Sequence, residues 1–356
     1  MSTLTTVNNM GILYADQGKL DEGEKMYERA LQEREKALGP KHTLTLTTVN
    51  NLGILYAGQG KLAKAEKMYK RALQGIEEAL GPKHILTLET VNNLGLLYAD
   101  QGKLAEAEKI YKRALQGREE ALGPKHTSTL QTVNNLGLLY ADQGKLAEAE
   151  KMYDQALQGI EEALGPKHML TLETVNNLGL LYADQGKLAE AEKMYKRALR
   201  GREEALGLKH TLALQTVNNL GLLYADQGKL AEAEKMYERA LQGREEALGP
   251  KHTSTLNTVN NLGLLYADQD KLDEAEKLYE RALRGYEEAL GHENVGKYRP
   301  ALNTIENIGS LYKKQGEFAK ARGMLTRALL GFQIILGPSS NRCQCIRAKI
   351  DTLDSS

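Results

Sequence analysis

The sequence contains no tryptophan, two phenylalanines and two cysteines in 356 residues. With so few large aromatics, buried volume has to come from Leu, Ala, Val and Tyr in thin helical layers rather than one deep core. The two cysteines, Cys343 and Cys345, both fall near the C-terminal end, which excludes a disulfide framework and fits reducing conditions. An excess of charge of either sign is missing as well. The 47 Lys and Arg balance 47 Asp and Glu, so no net field attracts nucleic acid or an anionic membrane. Long apolar runs are absent: a stretch such as Leu136 to Ala141 is far short of a bilayer span, and Met1 is followed by polar residues rather than a secretory leader. These absences predict a soluble, cytoplasmic protein with no nucleic-acid or membrane partner.

What is present is one tract, many times. LGLLYADQGKLAEAEK occupies Leu136 to Lys151 and recurs unchanged from Leu94, Leu178 and Leu220, with looser copies from Met10, Leu52, Leu262 and Ile308. Its glycines Gly11, Gly53, Gly95, Gly137, Gly179, Gly221 and Gly263 are spaced by 42 residues; Gly309 follows after 46, and the extra residues sit between Gly291 and Pro300. Eight repeats result, and a repeat array has no independent cores, so residues 1–337 read as one elongated array and 338–356 as a tail. A second period lies above the first. Gly75 to Gly95 and Gly159 to Gly179 differ only at Ile85 versus Met169, while neighbouring copies carry Arg118 and Arg202 where these have Ile76 and Ile160. Growth by two-repeat blocks accounts for that alternation.

Within a repeat, Leu130, Val133, Leu136, Gly137 and Tyr140 lie at helical spacing, which predicts a helix A from Thr129 to about Gln143. Gln143-Gly144-Lys145 is a turn. Leu146, Ala149, Tyr153, Ala156, Leu157 and Leu164 form a second apolar stripe, a helix B of about twenty residues. Gly165-Pro166 ends it, glycine in a left-handed cap and proline unable to continue the ladder. An interior glycine costs about 1 kcal/mol against alanine, so Gly137 predicts close approach of helix A to helix B. In the tail, Ser339 or Ser340 caps a short helix whose Ile346, Ile350 and Leu353 cover the last repeat.

Motifs for catalysis are weak. Gly137 to Lys145 ends in Gly-Lys, but a P-loop is shorter, continues with Ser or Thr, and sits on a strand-to-helix loop. His42, His84, His126, His168, His210 and His252 occur once per repeat, strung along an edge instead of converging as metal ligands do; a loop role beside the next helix start suits them. Cys343-x-Cys345 lacks a second ligand pair and reads as free tail thiols. Charged tracts such as Glu148 to Lys151 and Arg118-Glu119-Glu120 read as solvated outer face. The expectation is a protein that is not an enzyme, with no cofactor and no metal.

The spacing of Val133, Leu136, Gly137, Tyr140, Gly144, Leu146, Ala149, Tyr153 and Ala156 resembles the tetratricopeptide repeat. Valine stands where that family often has tryptophan, and the unit is longer than the usual repeat of about 34 residues. That longer unit, opening on VNNLG and closing on ALGPKH, is similar to the kinesin light chain subfamily. The resemblance implies an all-α fold, a right-handed α-solenoid of eight antiparallel helix pairs, serving as a scaffold for a peptide or protein partner. It also implies an alternative, a ligand-sensing segment C-terminal to an NB-ARC or NACHT-type NTPase, for which the short start before the first helix A leaves room.

Gln131, Asn134, Asn135, Leu138 and Asp142 share a face of helix A that, in the family, lines a peptide-holding groove. Asn8, Asn50, Asn92, Asn134, Asn176, Asn218 and Asn260 then form one ladder, and Asn9, Asn51, Asn93, Asn135, Asn177, Asn219, Asn261 and Asn307 a second; Leu138 and Leu180 lie beside them. A carboxamide donates and accepts, so it can pair with a peptide backbone or bond across to the next helix A and organise the stack. Both readings stand at this point for both ladders. Kinesin light chains imply acidic cargo, yet this stripe carries Asp16, Asp100, Asp142, Asp184, Asp226 and Asp268, with Glu89 and Glu173 nearby. A neutral or basic ligand is therefore expected. Stacked repeats with an uncovered first edge also raise end-to-end self-association.

Overall fold

Residues 2–16 and 19–353 are described by the computed structural model; the side chains of residues 2–4 and of Asp16 lie outside the described set. The three- and four-residue apolar steps become helices throughout, and no strand occurs among the described residues. In the first compact unit, Met1–Gly165, the order is α1 (Ser2–Asp16), α2 (Leu20–Leu38), α3 (Thr43–Gly58), α4 (Leu62–Leu80), α5 (Ile85–Asp100), α6 (Leu104–Leu122), α7 (Thr127–Asp142) and α8 (Leu146–Leu164). The second unit, Pro166–Ser356, holds α9 (Met169–Asp184), α10 (Leu188–Leu206), α11 (Thr211–Asp226), α12 (Leu230–Leu248), α13 (Thr253–Asp268), α14 (Leu272–Leu290), the short α15 (His292–Val295), α16 (Arg299–Lys314), α17 (Phe318–Leu336) and α18 (Asn341–Asp351). Each unit is an all-α repeat solenoid of consecutive helix pairs.

Two glycines lock each hairpin from α3–α4 onward, and in the first hairpin Glu33 stands at the second glycine's position. A Cβ on Gly137 of α7 would stand 2.8 Å from the Tyr153 ring of α8, and one on Gly159 of α8 would stand 2.7 Å from Leu130 of α7. The expected close approach of the two helices is thus met from both sides. Between repeats, Leu136 and Leu139 of α7 bury against Ala107 and Tyr111 of α6, and Leu220 and Leu223 of α11 repeat the contact on Ala191 and Tyr195 of α10. Each such leucine, fully buried, contributes about 1.5–3 kcal/mol of transfer free energy.

Helix A begins earlier than its apolar spacing predicts, at Thr127 rather than Thr129. The cause is His126, whose Nδ1 accepts a hydrogen bond from the Ser128 backbone N–H at 3.1 Å. His42, His84, His168, His210 and His252 do the same at their helix starts, so the once-per-repeat histidine is an N-cap. Only a neutral imidazole offers that lone pair. Burial first, and the Arg244 charge second, hold the His252 pKa below its usual 6.5. A lowered folded-state pKa means that this cap's stability is present above pH 6.5 and is lost as pH falls through the folded value. His252→Asn, a cap that does not titrate, should flatten the fall in urea midpoint below pH 6.5 relative to the unchanged chain; equal slopes would contradict the cap.

The glycine closing helix B is not in the left-handed α region. Gly165 has φ 86 and ψ 167, a region open essentially to glycine alone, and Gly39, Gly81, Gly123, Gly207 and Gly249 share it. At the A-to-B turn Gly144 has φ 73, and there Asp270 is a non-glycine with φ 61. Asp270→Gly should therefore raise stability by about 0.5–1 kcal/mol, read as a higher urea midpoint, because an L side chain is strained in that conformation.

The irregular joint forms α15, whose Val295 is buried, followed by Tyr298, which meets Tyr286 edge-on with centroids 5.7 Å apart. Beyond α17, Ser340 caps α18, and Cys343, Ile346 and Leu353 bury in the cluster of Phe332 and Leu325. Cys343 is buried and Cys345 exposed; both are free. Glu306 stands where earlier repeats have the first Asn, and its buried carboxylate pairs with Lys349 at 2.6 Å and Arg342 at 2.7 Å, both from α18. No helix among the described residues is long and apolar enough to cross a membrane.

Candidate functional site

One face of helix A stays open. On α5, Glu89, Asn93, Leu96 and Asp100 follow at steps of four, three and four, which places them on one strip. Leu96 is 44% exposed, and its equivalents Ile54, Leu180, Leu222 and Leu264 are 49%, 36%, 39% and 38% exposed, each 42 residues from the next occurrence of the motif position. Leu138 is half-buried, while Asp100, Asp142, Asp184 and Asp226 are all exposed. An apolar side chain left in water at the same place in successive repeats is a patch, not a scatter of single residues. Of these leucines, only Leu138 and Leu180 stand out at the sequence level; the 42-residue step is the signal that extends them to Ile54, Leu96, Leu222 and Leu264.

The aspartates bear the mark of a re-entrant surface. Asp100 is exposed as a residue, yet loss of solvation by surrounding protein, with the Asp142 charge second, pushes its carboxyl up to about 6. In the second unit Asp184 is raised by the same two causes, the second being Asp226, and Asp226 is raised by loss of solvation. Glu173, at the start of its strip, is raised by burial against the opposing pull of Arg202. An acid that reaches solvent and still loses hydration sits in a recess. The Asp16 side chain lies outside the described residues.

The asparagine ladders take different positions. Asn50, Asn92, Asn134, Asn176 and Asn260 are buried, Asn134 to 3%, and Asn218 is half-buried. Asn93, Asn135, Asn177 and Asn219 are half-buried. The two ladders bond to each other across repeats. Asn93 Nδ2 donates to Asn50 Oδ1 at 3.5 Å, Asn135 to Asn92 at 3.3 Å, Asn219 to Asn176 at 3.4 Å and Asn261 to Asn218 at 3.3 Å. A Thr hydroxyl adds to the same acceptor: Thr132 donates to Asn92 Oδ1 at 3.4 Å and Thr216 to Asn176 Oδ1 at 3.2 Å. These bonds organise the stack, which is one of the two roles open to the ladders from sequence. The bulk of the first ladder lies beneath the surface, and the second reaches it.

Arg118 corrects the solvated-face expectation for its tract. It is buried to 6% exposure at the core position that Ile76 fills elsewhere. Its Nη1 donates to the Ser128 carbonyl at 2.6 Å and to Thr132 Oγ1 at 2.8 Å, both on α7. Arg34, Arg202 and Arg244 reach the next helix A in the same way. The sequence signal was the alternation with isoleucine, which marks a core position. The Glu tracts do lie outside: Lys112 pairs with Glu108 at 2.7 Å within α6, and Arg113 of α6 pairs with Glu77 of α4 at 2.8 Å. Exposed pairs of this kind contribute about 0–1 kcal/mol each.

No group of three or more His, Cys, Asp or Glu among the described residues is arranged to hold a metal ion. Helix hairpins with two glycine-mediated contacts, stacked at a 42-residue period with one open strip on helix A, define a helical-repeat array. A tetratricopeptide repeat family model matches residues 2–78, 49–120, 86–157, 128–204 and 212–288, and a second matches 301–341. The chain belongs to the tetratricopeptide repeat family, and its array is of the kinesin light chain type. Among solved structures it is similar to a Rap protein complexed with competence and sporulation factor, with TM-score 0.61 at 16% identity over 99% of this chain and 98% of that one. A tetratricopeptide repeat protein from Parabacteroides merdae gives TM-score 0.54 at 20% identity over 87% and 98%. BtubC (BKLC) from P. vanneervenii gives 0.50 at 23% over 66% and 92%. These likenesses show the fold. No curated protein matches the sequence.

Proposed function

We propose that this protein is a non-enzymatic scaffold whose helix A strips bind an extended segment of a partner protein that is apolar and basic. The observation that carries the reading is the recurrence of an exposed leucine one helical turn before an exposed, desolvated aspartate, as at Leu96 and Asp100 or Leu180 and Asp184. Leucines of that column supply apolar contact, and the aspartates select a cation. Asn93, Asn135, Asn219 and Asn261 each spend one N–H on the stack, and a carboxamide has further donor and acceptor capacity for a ligand backbone. At about 0.5–1.5 kcal/mol per hydrogen bond, several repeats must act together. A Rap protein of the same fold is found in complex with competence and sporulation factor, which supports a ligand-holding role for such an array.

The test is a peptide array probed with the full chain. Peptides that combine Leu with Lys or Arg should be retained, and retention should fall with added salt. Preference for acidic, Trp-containing peptides would sink the basic-ligand reading.

A further inference from the structure

A cavity of about 320 Å³ opens among α5, α6 and the start of α7, lined among others by Ile85, Glu89, Asn93, Arg118 and Gln131. Arg118 is the unusual member. A guanidinium is never deprotonated in practice, and burying one is costly unless a carboxylate meets it. Here its hydrogen bonds go to a carbonyl and a hydroxyl, both neutral, and among the described residues no carboxylate forms an ion pair with it. Glu89 is the acid that acts on it, favouring the charged form against the opposing effect of burial. Glu89 itself is exposed and makes neither a hydrogen bond nor an ion pair among the described residues.

The cavity therefore joins a cation held by neutral acceptors to an anion that makes no hydrogen bond or ion pair among the described residues, with the carboxamides of Asn92, Asn93 and Gln131 and the 53% exposed Ile85 also in its lining. A lone anion entering it meets Glu89, and a lone cation meets Arg118. An apolar group leaves both charges without partners. One group that suits both brings an acceptor and a donor of opposite charge together.

The pairing is not confined to one repeat. Glu173 and Arg202 recur with the same separation (202 − 173 = 29 and 118 − 89 = 29). Arg202 is 2% exposed and its buried Nε has no partner. Thr5, Thr47, Gln131 and Gln215 stand at the acid position of the repeats carrying Arg34, Ile76, Ile160 and Arg244, so the acid meets the arginine in the Arg118 and Arg202 repeats and not in the Arg34 and Arg244 repeats.

We propose that the Glu89–Arg118 cavity, and the equivalent residue pair Glu173–Arg202, seats a zwitterionic amino-acid unit, its carboxylate toward the arginine and its ammonium toward the glutamate. Two sources carry that chemistry: a free α-amino acid, or an acidic residue at the N-terminus of a peptide, with its α-ammonium and side-chain carboxylate. Only the second source rests on the groove reading above.

Calorimetric titration of the full chain with free amino acids, their N-acetyl and carboxamide derivatives, and peptides beginning with Asp or Glu with and without N-acetylation tests this. Binding of at least one zwitterion is expected, weakened tenfold or more when either charge is blocked. Arg118→Ile/Arg202→Ile installs the side chain that the array itself carries at Ile76 and Ile160, and should abolish binding. Glu89→Gln/Glu173→Gln changes only strip positions and should weaken it tenfold or more, which keeps the test valid if the arginine variant unfolds. Absence of binding by every zwitterion, or binding undiminished in the glutamine variant, overturns the proposal. Retention of Lys- and Leu-containing peptides by a chain that takes no zwitterion would leave the groove reading standing alone.

Discussion

Tyr153→Ala should lower the stability of the array by about 3–5 kcal/mol, and Gly137→Val by about 2 kcal/mol, while the two together should cost clearly less than their sum. The ring of Tyr153 is 1% exposed, and its removal leaves a cavity between α7 and α8 that the surrounding helices fill only in part. Valine at Gly137 introduces the opposite fault, because even a Cβ there would lie 2.8 Å from the ring, closer than packed carbons approach. A buried ring has nowhere to retreat. When the ring is gone, the valine occupies vacated space, so the two substitutions couple as contacting residues do. Urea denaturation followed by circular dichroism, with hydrogen exchange of α7 and α8 to locate the loss, measures the effect. A repeat array need not unfold in one step, which makes the local readout the decisive one. Additive costs would show that the glycine is retained for some reason other than the ring.

Reversing the strip charge with Asp100→Lys/Asp142→Lys should weaken binding of a Leu- and Lys-containing peptide by about 30-fold or more and improve binding of an acidic one. Each reversal exchanges an attraction for a repulsion, at about 1 kcal/mol or slightly more per site near the surface, and each 1.4 kcal/mol is a factor of ten. Both residues are exposed at helix ends, so folding should survive the change. Acidity provides an independent check. Surrounding protein first, and Asp142 second, place the Asp100 carboxyl at about 6, so its charge is present above that value and is lost as pH falls through it. Affinity for a cationic peptide should accordingly decline from pH 7 to pH 5, whereas Asp100→Asn should flatten that decline. Fluorescence anisotropy with a labelled peptide reads both results.

The helices were legible because their apolar spacing is a local property, and so was the approach of helix A to helix B, since a glycine such as Gly137 inside a helix needs a packing reason. Their starts were less so. Histidine is not among the residues usually expected at an N-cap, and the Nδ1 bond of His126 to Ser128 depends on a ring orientation that spacing does not reveal. Arg118 illustrates a harder case. Charge argues for solvent, and only the carbonyl of Ser128 and the hydroxyl of Thr132 on the next helix make burial of its guanidinium tolerable. Its alternation with isoleucine was visible, but the partners that give the alternation meaning lie ten and fourteen residues ahead, on another repeat.

The candidate strip divides along the same line. Asn134 and Asn135 are adjacent and chemically identical, so nothing in the chain's order separates them. Packing does: a helical step of one residue turns the side chain by about 100°, which leaves Asn134 at 3% exposure and Asn135 half in water. The sequence alone determined the period, the helix pairs and which residues share the face of helix A that carries the proposed strip, because these follow from spacing along one chain. The tertiary structure alone decided which amides hold the stack, which leucines remain in water and which arginine stands beside a cavity, because each of those depends on where the next repeat comes to rest.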